Sequence, residues 1–93
     1  MKIKPKKNYL VQFGTLVVTS RRAAHITQEA LAEKAGLHPN FYGRVERGED
    51  SPSLVTILKM ADALRLDPGD LLTGIQMYEV FWGQAAADKG DIG

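Results

Sequence analysis

The sequence lacks cysteine altogether. This absence excludes disulfides, a thiol nucleophile, thiolate-bound zinc and iron–sulfur ligation. It has two histidines, His25 and His38, in different predicted turns, and a metal site needs several donors that converge. Its longest aliphatic run, residues 16–18, is far shorter than the ~20 apolar residues that span a membrane. The N-terminal residues also lack the apolar stretch of a secretion signal. We therefore expect a cytoplasmic protein with no membrane contact.

The sequence also lacks the patterns of common active sites. It has no Ser-His-Asp set at plausible spacing, no glycine loop for phosphate, no HExxH motif and no acidic cluster beyond solvated faces. We therefore predict that the protein is not an enzyme and that it uses no cofactor and no metal.

The net charge is small, but the charged residues are unevenly distributed. The net charge of the 93 residues is +1, yet residues 1–26 hold four lysines, two arginines and no acid. Residues 53–93 hold three bases and six acids. A basic end can face a polyanion such as DNA, or it can be a solvated lysine tail. The charge pattern alone leaves both interpretations open.

A helical periodicity runs through most of the chain. Apolar residues recur at three- and four-residue steps from Tyr9 to Ala24, which predicts a first helix. Two short helices follow at residues 28–35 and 39–47, with Thr27 as N-cap of the former and Gly36 and Gly48 at their ends.

Two further helices complete the prediction. Ser53 caps a fourth helix to about residue 66, whose predicted inward stripe comprises Leu54, Ile57, Leu58, Ala61 and Leu64. A short fifth helix follows Asp67. Because no segment alternates with period two, the prediction is an all-α, compact five-helix bundle.

The pair at residues 28–35 and 39–47 has the form of a helix-turn-helix. About three residues around Gly36 join the two helices. Tyr42 and Val45 are predicted to face inward, and Asn40, Gly43, Arg44 and Arg47 outward. This spacing is also found in helical hairpins that do not bind DNA, so it does not identify the function alone.

Four motifs at fixed mutual distances resemble the lambda-repressor/Cro-type (Xre-like) regulators. They are TQEALAEKAGL at residues 27–37, VERG at 45–48, SPSL at 51–54 and ADALRL at 61–66. The resemblance covers residues 13–72 without gaps. It implies a five-helix DNA-binding domain that acts as a dimeric transcription regulator.

The resemblance implies base contacts from the start and outer face of the recognition helix at residues 39–47. The implied residues are His38, Pro39, Asn40 and Arg44. Asn40 suits adenine and Arg44 suits guanine, each through two hydrogen bonds in the major groove. Pro39 replaces a polar base-reading residue and suits a thymine methyl instead. The alternative for His38 is an N-cap, and for Arg44 an ion pair with Glu46 or another acid.

The resemblance also implies a set of phosphate contacts: Arg21, Thr27, Gln28, Arg47, Ser51 and Ser53. Arg21 is expected to pair with Glu46 and to be mainly structural. The alternative for Gln28 is a solvated side chain. Glu49 and Asp50 place negative charge in a loop that is basic in many relatives, which predicts reduced DNA affinity unless the basic N-terminal arm compensates.

We divide the chain into a flexible basic arm (1–8), the helix-turn-helix domain (9–74), an apolar segment (75–83) and a flexible tail (84–93). The apolar segment is predicted to form a homodimer through Ile75, Tyr78, Phe81 and Trp82, because large aromatic residues dominate interfaces. The alternative is that it folds back over the first helix of its own chain.

The predicted function is sequence-specific binding of double-stranded DNA by a small homodimeric repressor. The recognition helix would enter the major groove of a pseudo-palindromic operator. The alternative is an antitoxin or protein-interaction module on the same scaffold. Because few residues follow Gly74, we expect no domain that binds a small-molecule effector.

Overall fold

The structure, a computed structural model, describes residues 8–76. Four α-helices occur in this range: α1 (Asn8–Ala23), α2 (Gln28–Ala35), α3 (Pro39–Glu46) and α4 (Leu54–Leu64). A single 3-10 turn, Pro68–Leu71, follows α4. Residues 8–76 contain no strand, and the all-α class is confirmed.

The predicted short fifth helix after Asp67 corresponds to this 3-10 turn, so the count of five helices is approximate. Asp67 and Asp70 form a reciprocal capping box around the turn: the Asp67 carboxylate accepts from the Gly69 N–H, and the Asp70 carboxylate accepts from the Asp67 N–H. The capped segment is four residues long, which is the usual length of a 3-10 piece.

Most predicted caps are found in the structure. The Thr27 and Ser53 hydroxyls accept the N–H groups of Ala30 and Thr56, both at 3.1 Å. Helix α2 ends at Gly36, which adopts a φ of 70°. Helix α4 stops at Leu64, two residues before the predicted end, because Arg65 adopts a left-handed φ of 58°. No glycine marks that position, so the sequence carried no stop signal there.

Helices α1 and α4 complete the core that the α2–α3 pair cannot form alone. The fully buried side chains come from every element: Val17, Leu31, Tyr42, Val45, Met60 and Leu71. The predicted stripe on α4 is wrong at Leu54 and Leu58, which are 68% and 44% exposed, whereas Ile57 is half-buried and packs on the core. The buried face of α4 is instead formed by Met60, Ala61, Ala63 and Leu64.

Helix α1 approaches α3 backbone to backbone at Gly14. A Cβ on Gly14 would lie 2.3 Å from the Glu46 carbonyl oxygen, so no side chain fits there. Gly43, expected on the outer face, is buried beneath the guanidinium of Arg47. The close backbone contact between α1 and α3 is therefore at Gly14.

The described part of the chain ends against α1. Ile75 is half-buried and packs on the core, and the Gln12 side-chain amide pairs with both backbone groups of Gln76 at 3.0 and 3.1 Å. The other predicted dimer residues, Tyr78, Phe81 and Trp82, lie outside the described residues. No helix in residues 8–76 is long and apolar enough to cross a membrane.

Candidate nucleic-acid interface

Helix α3 begins where sequence analysis predicted, and its first residues face solvent. Pro39 occupies the first helical turn, and His38 Nδ1 caps the helix by accepting the Asn40 N–H at 3.1 Å. The predicted N-cap role of His38 is thus confirmed. His38, Pro39, Asn40 and Arg44 are all exposed.

A shallow groove between α2 and α3 brings the two predicted contact sets together. Its lining residues are Gln28, Glu29, Pro39, Asn40, Gly43, Arg44 and Arg47. Three of them were assigned to bases and two to phosphates. Thr27, at the N-terminus of α2, and Ser51 and Ser53, before α4, are also exposed, but they lie outside this groove lining.

The inner side of α3 carries a buried hydrogen-bond cluster around the Glu46 carboxylate. Arg21 Nε donates to Glu46 Oε2 at 2.6 Å, and the two side chains are 12% and 4% exposed. Gln28 Nε2 donates to Glu46 Oε1 at 2.6 Å, and the Tyr42 hydroxyl donates to Oε2. We call these four residues the Glu46 cluster.

The Glu46 cluster changes the ionisation of its members. Burial opposes the charge on Glu46, but the hydrogen bonds from Arg21, Tyr42 and Gln28 outweigh it and lower the pKa of this carboxyl. Burial, reinforced by the hydrogen bond to Glu46, raises the pKa of the Tyr42 phenol. The cluster therefore holds Glu46 as a carboxylate and Tyr42 as a neutral donor.

The predicted Arg21–Glu46 pair is confirmed, and its geometry makes Arg21 a structural residue. The guanidinium also donates from Nη1 to the Ile26 carbonyl at 3.0 Å, which ties the end of α1 to the loop before α2. Because its side chain is only 12% exposed, little of Arg21 is accessible from solvent.

Gln28 was predicted as a phosphate contact or a solvated side chain, and the structure gives it a further partner. One amide proton binds Glu46, and the second proton on Nε2 remains to be donated elsewhere. The sequence offered no signal for the Gln28–Glu46 contact. The contact between Tyr42 and Glu46 was foreseeable, because residues four apart lie on one helix face.

The outer side of α3 carries two exposed ion pairs. Arg44 Nε lies 3.1 Å from Asp50 Oδ2, and Arg47 Nε lies 3.1 Å from Glu49 Oε2. The side chains of these four residues are 37–55% exposed. An acid does pair with Arg44, as the alternative held, but it is Asp50 and not Glu46. We call these contacts the outer pairs.

The comparisons with known proteins identify the family. A family model described as Helix-turn-helix matches residues 19–71, more than half of the chain. The chain belongs to this family, of the Xre/Cro type that its motifs predicted. Its fold and its two central helices agree with that membership.

Named relatives come from several bacteria. Control protein C.SmaI of Serratia marcescens is 42% identical over 53 residues, which are 57% of this chain and 63% of that protein. An uncharacterized HTH-type transcriptional regulator of Mycobacterium tuberculosis is 34% identical over 53 residues, or 38% of its length. The chain thus matches less than two thirds of these curated relatives. Both are named as control proteins or regulators and neither as an enzyme.

Two solved structures are similar to this chain in fold. The restriction-modification controller protein C.AhdI of Aeromonas hydrophila is 45% identical, with a TM-score of 0.66 over 67% of this chain and 94% of that one. The clp gene regulator ClgR of Corynebacterium glutamicum is 24% identical, with a TM-score of 0.68 over 91% of this chain and 88% of that one. The second likeness concerns the fold alone.

Proposed function

We propose that this helix-turn-helix protein binds double-stranded DNA sequence-specifically, as a homodimeric transcriptional repressor that inserts α3 into the major groove. The observation that carries the proposal is the groove between α2 and α3. It places the exposed side chains of Asn40 and Arg44 beside Gln28 and Arg47. A helix-turn-helix uses this arrangement to read bases with one pair and to hold phosphates with the other.

The base-reading residues lie at the N-terminal end and outer face of α3. His38 uses Nδ1 for its cap, which leaves Nε2 as its second polar atom on an exposed side chain. Asn40 offers an amide for adenine, Arg44 a guanidinium for guanine, and Pro39 an apolar contact for a thymine methyl. Together these four side chains form the proposed readout edge.

The proposed phosphate contacts surround that edge. Gln28 stands in the first turn of α2, where free N–H groups and the helix dipole favour an anion. Arg47 lies one turn beyond Arg44 on the exposed side of α3. The N–H of Ser51 is a weaker candidate than the sequence implied, because it already donates to Asp50 Oδ1 at 3.0 Å.

A dimer would place two α3 helices about 34 Å apart, one turn of duplex, and require a pseudo-palindromic site. Ile75 packs on its own chain, so Tyr78, Phe81 and Trp82 remain as the proposed anchors. A second apolar surface is visible on α4, where Leu54, Val55 and Leu58 are 68%, 59% and 44% exposed. This surface suits a second copy or, in the antitoxin alternative, another protein.

The relatives suggest the setting. At 45% identity to a restriction-modification controller, control of such a system is the candidate role for this chain. The proposal includes a cytoplasmic location, because a bacterial regulator meets its DNA there, and no catalytic activity. A neighbouring methyltransferase gene would support the role, whereas a neighbouring toxin gene would support the antitoxin alternative.

The first experiment selects bound duplexes from sheared genomic DNA and measures their affinity at several salt concentrations. Each neutralised phosphate contributes about −0.9 to the slope of log K against log salt, so a dimer gives a steep slope. Binding without preference among duplexes, or without salt dependence, contradicts the proposal. Sedimentation of the full chain tests the dimer, and a monomer at the binding concentration refutes that part.

The second experiment separates base contacts from phosphate contacts with matched variants. Arg44→Ala is expected to cost about 1–3 kcal/mol on the selected site and to relax the choice at one base pair per half-site. Arg47→Ala removes a second exposed arginine that also has an acidic partner, and it should weaken binding to all duplexes evenly. Equal losses of Arg44→Ala on selected and random DNA would show that Arg44 does not read a base.

A further inference from the structure

The Asp50 carboxylate is held in one position relative to α3. Its Oδ1 accepts the Ser51 N–H at 3.0 Å, and its Oδ2 accepts from Arg44 Nε at 3.1 Å. The loop itself is tied to α3, because the Glu49 N–H donates to the Arg44 carbonyl at 2.8 Å. Both oxygens of Asp50 and the backbone beside it are therefore used to fix its geometry.

This contact positions the Arg44 side chain but leaves most of its N–H donors available. Arginine has five N–H donors in a rigid fork, and Asp50 engages Nε. Both terminal nitrogens keep protons, which are the ones that pair with guanine O6 and N7 when the guanidinium approaches end-on. The Phe41 ring, 5.9 Å from the guanidinium carbon, adds a second surface against which the side chain lies.

We propose that Asp50 is a specificity-determining residue: it positions Arg44 for one base pair and makes DNA without that base pair bind less well. The proposal rests on the proposed DNA-binding function and goes beyond it. A positioned guanidinium loses less freedom on binding the correct base, because its side chain is already ordered. The negative charge of Asp50 also disfavours use of Arg44 as a simple phosphate clamp on random DNA.

Glu49 provides the contrast within the same loop. It pairs with Arg47 through Nε at the same 3.1 Å, but Arg47 is proposed to hold a phosphate. A phosphate contact carries no base information, so the charge of Glu49 lowers affinity for every duplex alike. The two acids of one loop are thus assigned different effects, and the difference comes from the arginine that each one faces.

The test compares Asp50→Asn with Glu49→Gln, since each variant removes one negative charge and keeps the side-chain shape. The two contacts use different oxygens of Asp50, and asparagine replaces one of these oxygens by an NH2 group that cannot accept, so only one of the two contacts is kept in this geometry. Full-length protein is titrated at one fixed salt concentration against three duplexes: the selected site, the same site with the Arg44-dependent base pair exchanged, and random DNA. Thermal unfolding checks that both variants fold. We expect both to fold, because the side chains of Asp50 and Glu49 are exposed.

For wild type, exchanging the base pair should cost roughly 5- to 150-fold in affinity, which is the range of a good bidentate contact. Asp50→Asn should reduce that discrimination by about threefold or more and strengthen binding to random DNA. Glu49→Gln should strengthen binding to all three duplexes by one common factor. In an Arg44→Ala background, Asp50→Asn should no longer alter the discrimination.

Two results overturn the assignment of Asp50. One is an identical response of Asp50→Asn and Glu49→Gln, which would make Asp50 a general negative charge. The other is an unchanged or increased discrimination in Asp50→Asn. Failure of the proposed function is recognised separately: wild type then shows no preference among the three duplexes, and the assignment falls before any variant is compared.

Discussion

Acidic and basic side chains pair on both sides of helix α3. The contacts on the two sides differ in burial and in the number of residues that they join. On the inner side, three side chains of the Glu46 cluster donate hydrogen bonds to the carboxylate of the fourth, Glu46. The Glu46 side chain is 4% exposed. On the outer side, the two outer pairs each join one arginine to one loop acid, with 37–55% of the side chains exposed. Buried contacts of this kind hold a fold together, whereas exposed ones leave their side chains accessible to a ligand.

The difference follows from solvent. A buried carboxylate that loses its partners keeps its desolvation cost and finds no water to replace them. An exposed pair that opens is solvated at once, so it contributes about 0–1 kcal/mol to stability. One short helix can therefore be anchored through Glu46 and still present Arg44 and Arg47 to DNA.

The largest expected effect is the loss of the inner carboxylate. Glu46→Ala leaves the Arg21 guanidinium, the Gln28 amide and the Tyr42 hydroxyl without their acceptor, and should lower the free energy of unfolding by about 3–5 kcal/mol. Urea unfolding followed by circular dichroism measures it. Asp50→Ala is the matched control on the outer side, and a loss of similar size there would abolish the distinction between the two sides.

The next effect concerns the close approach that buries the inner side. Gly14→Ala places a Cβ against the Glu46 carbonyl, so α1 must move away from α3, and the expected cost is roughly 1–3 kcal/mol. Gly43→Ala is the control, since its Cβ would meet only the movable end of Arg47, and helix propensity favours alanine by up to about 1 kcal/mol. If Gly43→Ala is the more harmful variant, the contact between α1 and α3 is described wrongly.

Acid should weaken the inner side selectively. The pKa of Glu46 is lowered in the folded state, so its contribution is complete above the pKa of an unfolded glutamate, about 4.3, and is lost as the pH falls through the folded value. The free energy of unfolding should therefore decline as the pH drops below about 5. Glu46→Gln should decline less steeply over the same range, and equal slopes would argue against a lowered pKa.

The smallest expected effect on stability is that of the outer pairs. Arg44→Ala and Arg47→Ala should each change the free energy of unfolding by less than about 1 kcal/mol. Their effects on DNA binding should be larger, as proposed above. Denaturation and binding measured on the same preparations test this separation, and a stability loss above 2 kcal/mol would show that the outer pairs belong to the fold.

Local signals predicted much of the fold. Thr27, Ser53, Asp67 and Pro39 occupy the helix starts that their side-chain chemistry predicts, and the bounds of α2 agree residue for residue. These features depend on hydrogen bonds within three or four residues, which a sequence displays directly. The family was predicted from motif spacing and is confirmed.

The candidate site was predicted less completely. The residues of the readout edge were named and are exposed, and their role at DNA stays a prediction. An acid pairs with Arg44, as the alternative held, but this acid is Asp50 and not Glu46, the one acid that was named. Periodicity puts Arg44 and Glu46 two positions apart, on different faces of α3, whereas the path of the loop after Gly48 brings Asp50 back towards α3.

The sequence by itself therefore determined the elements, their caps and the family, because these depend on short-range chemistry and on the order of residues. The tertiary structure alone decided which charges are buried and which apolar residues stay exposed. Glu46 became the centre of a buried cluster because α1 closes over it at Gly14. Leu54 and Leu58 stayed exposed because, among the apolar residues of α4 before Met60, Ile57 alone packs on the core. Periodicity shows which residues share a face of a helix. Only the neighbouring elements determine what length of that face is buried.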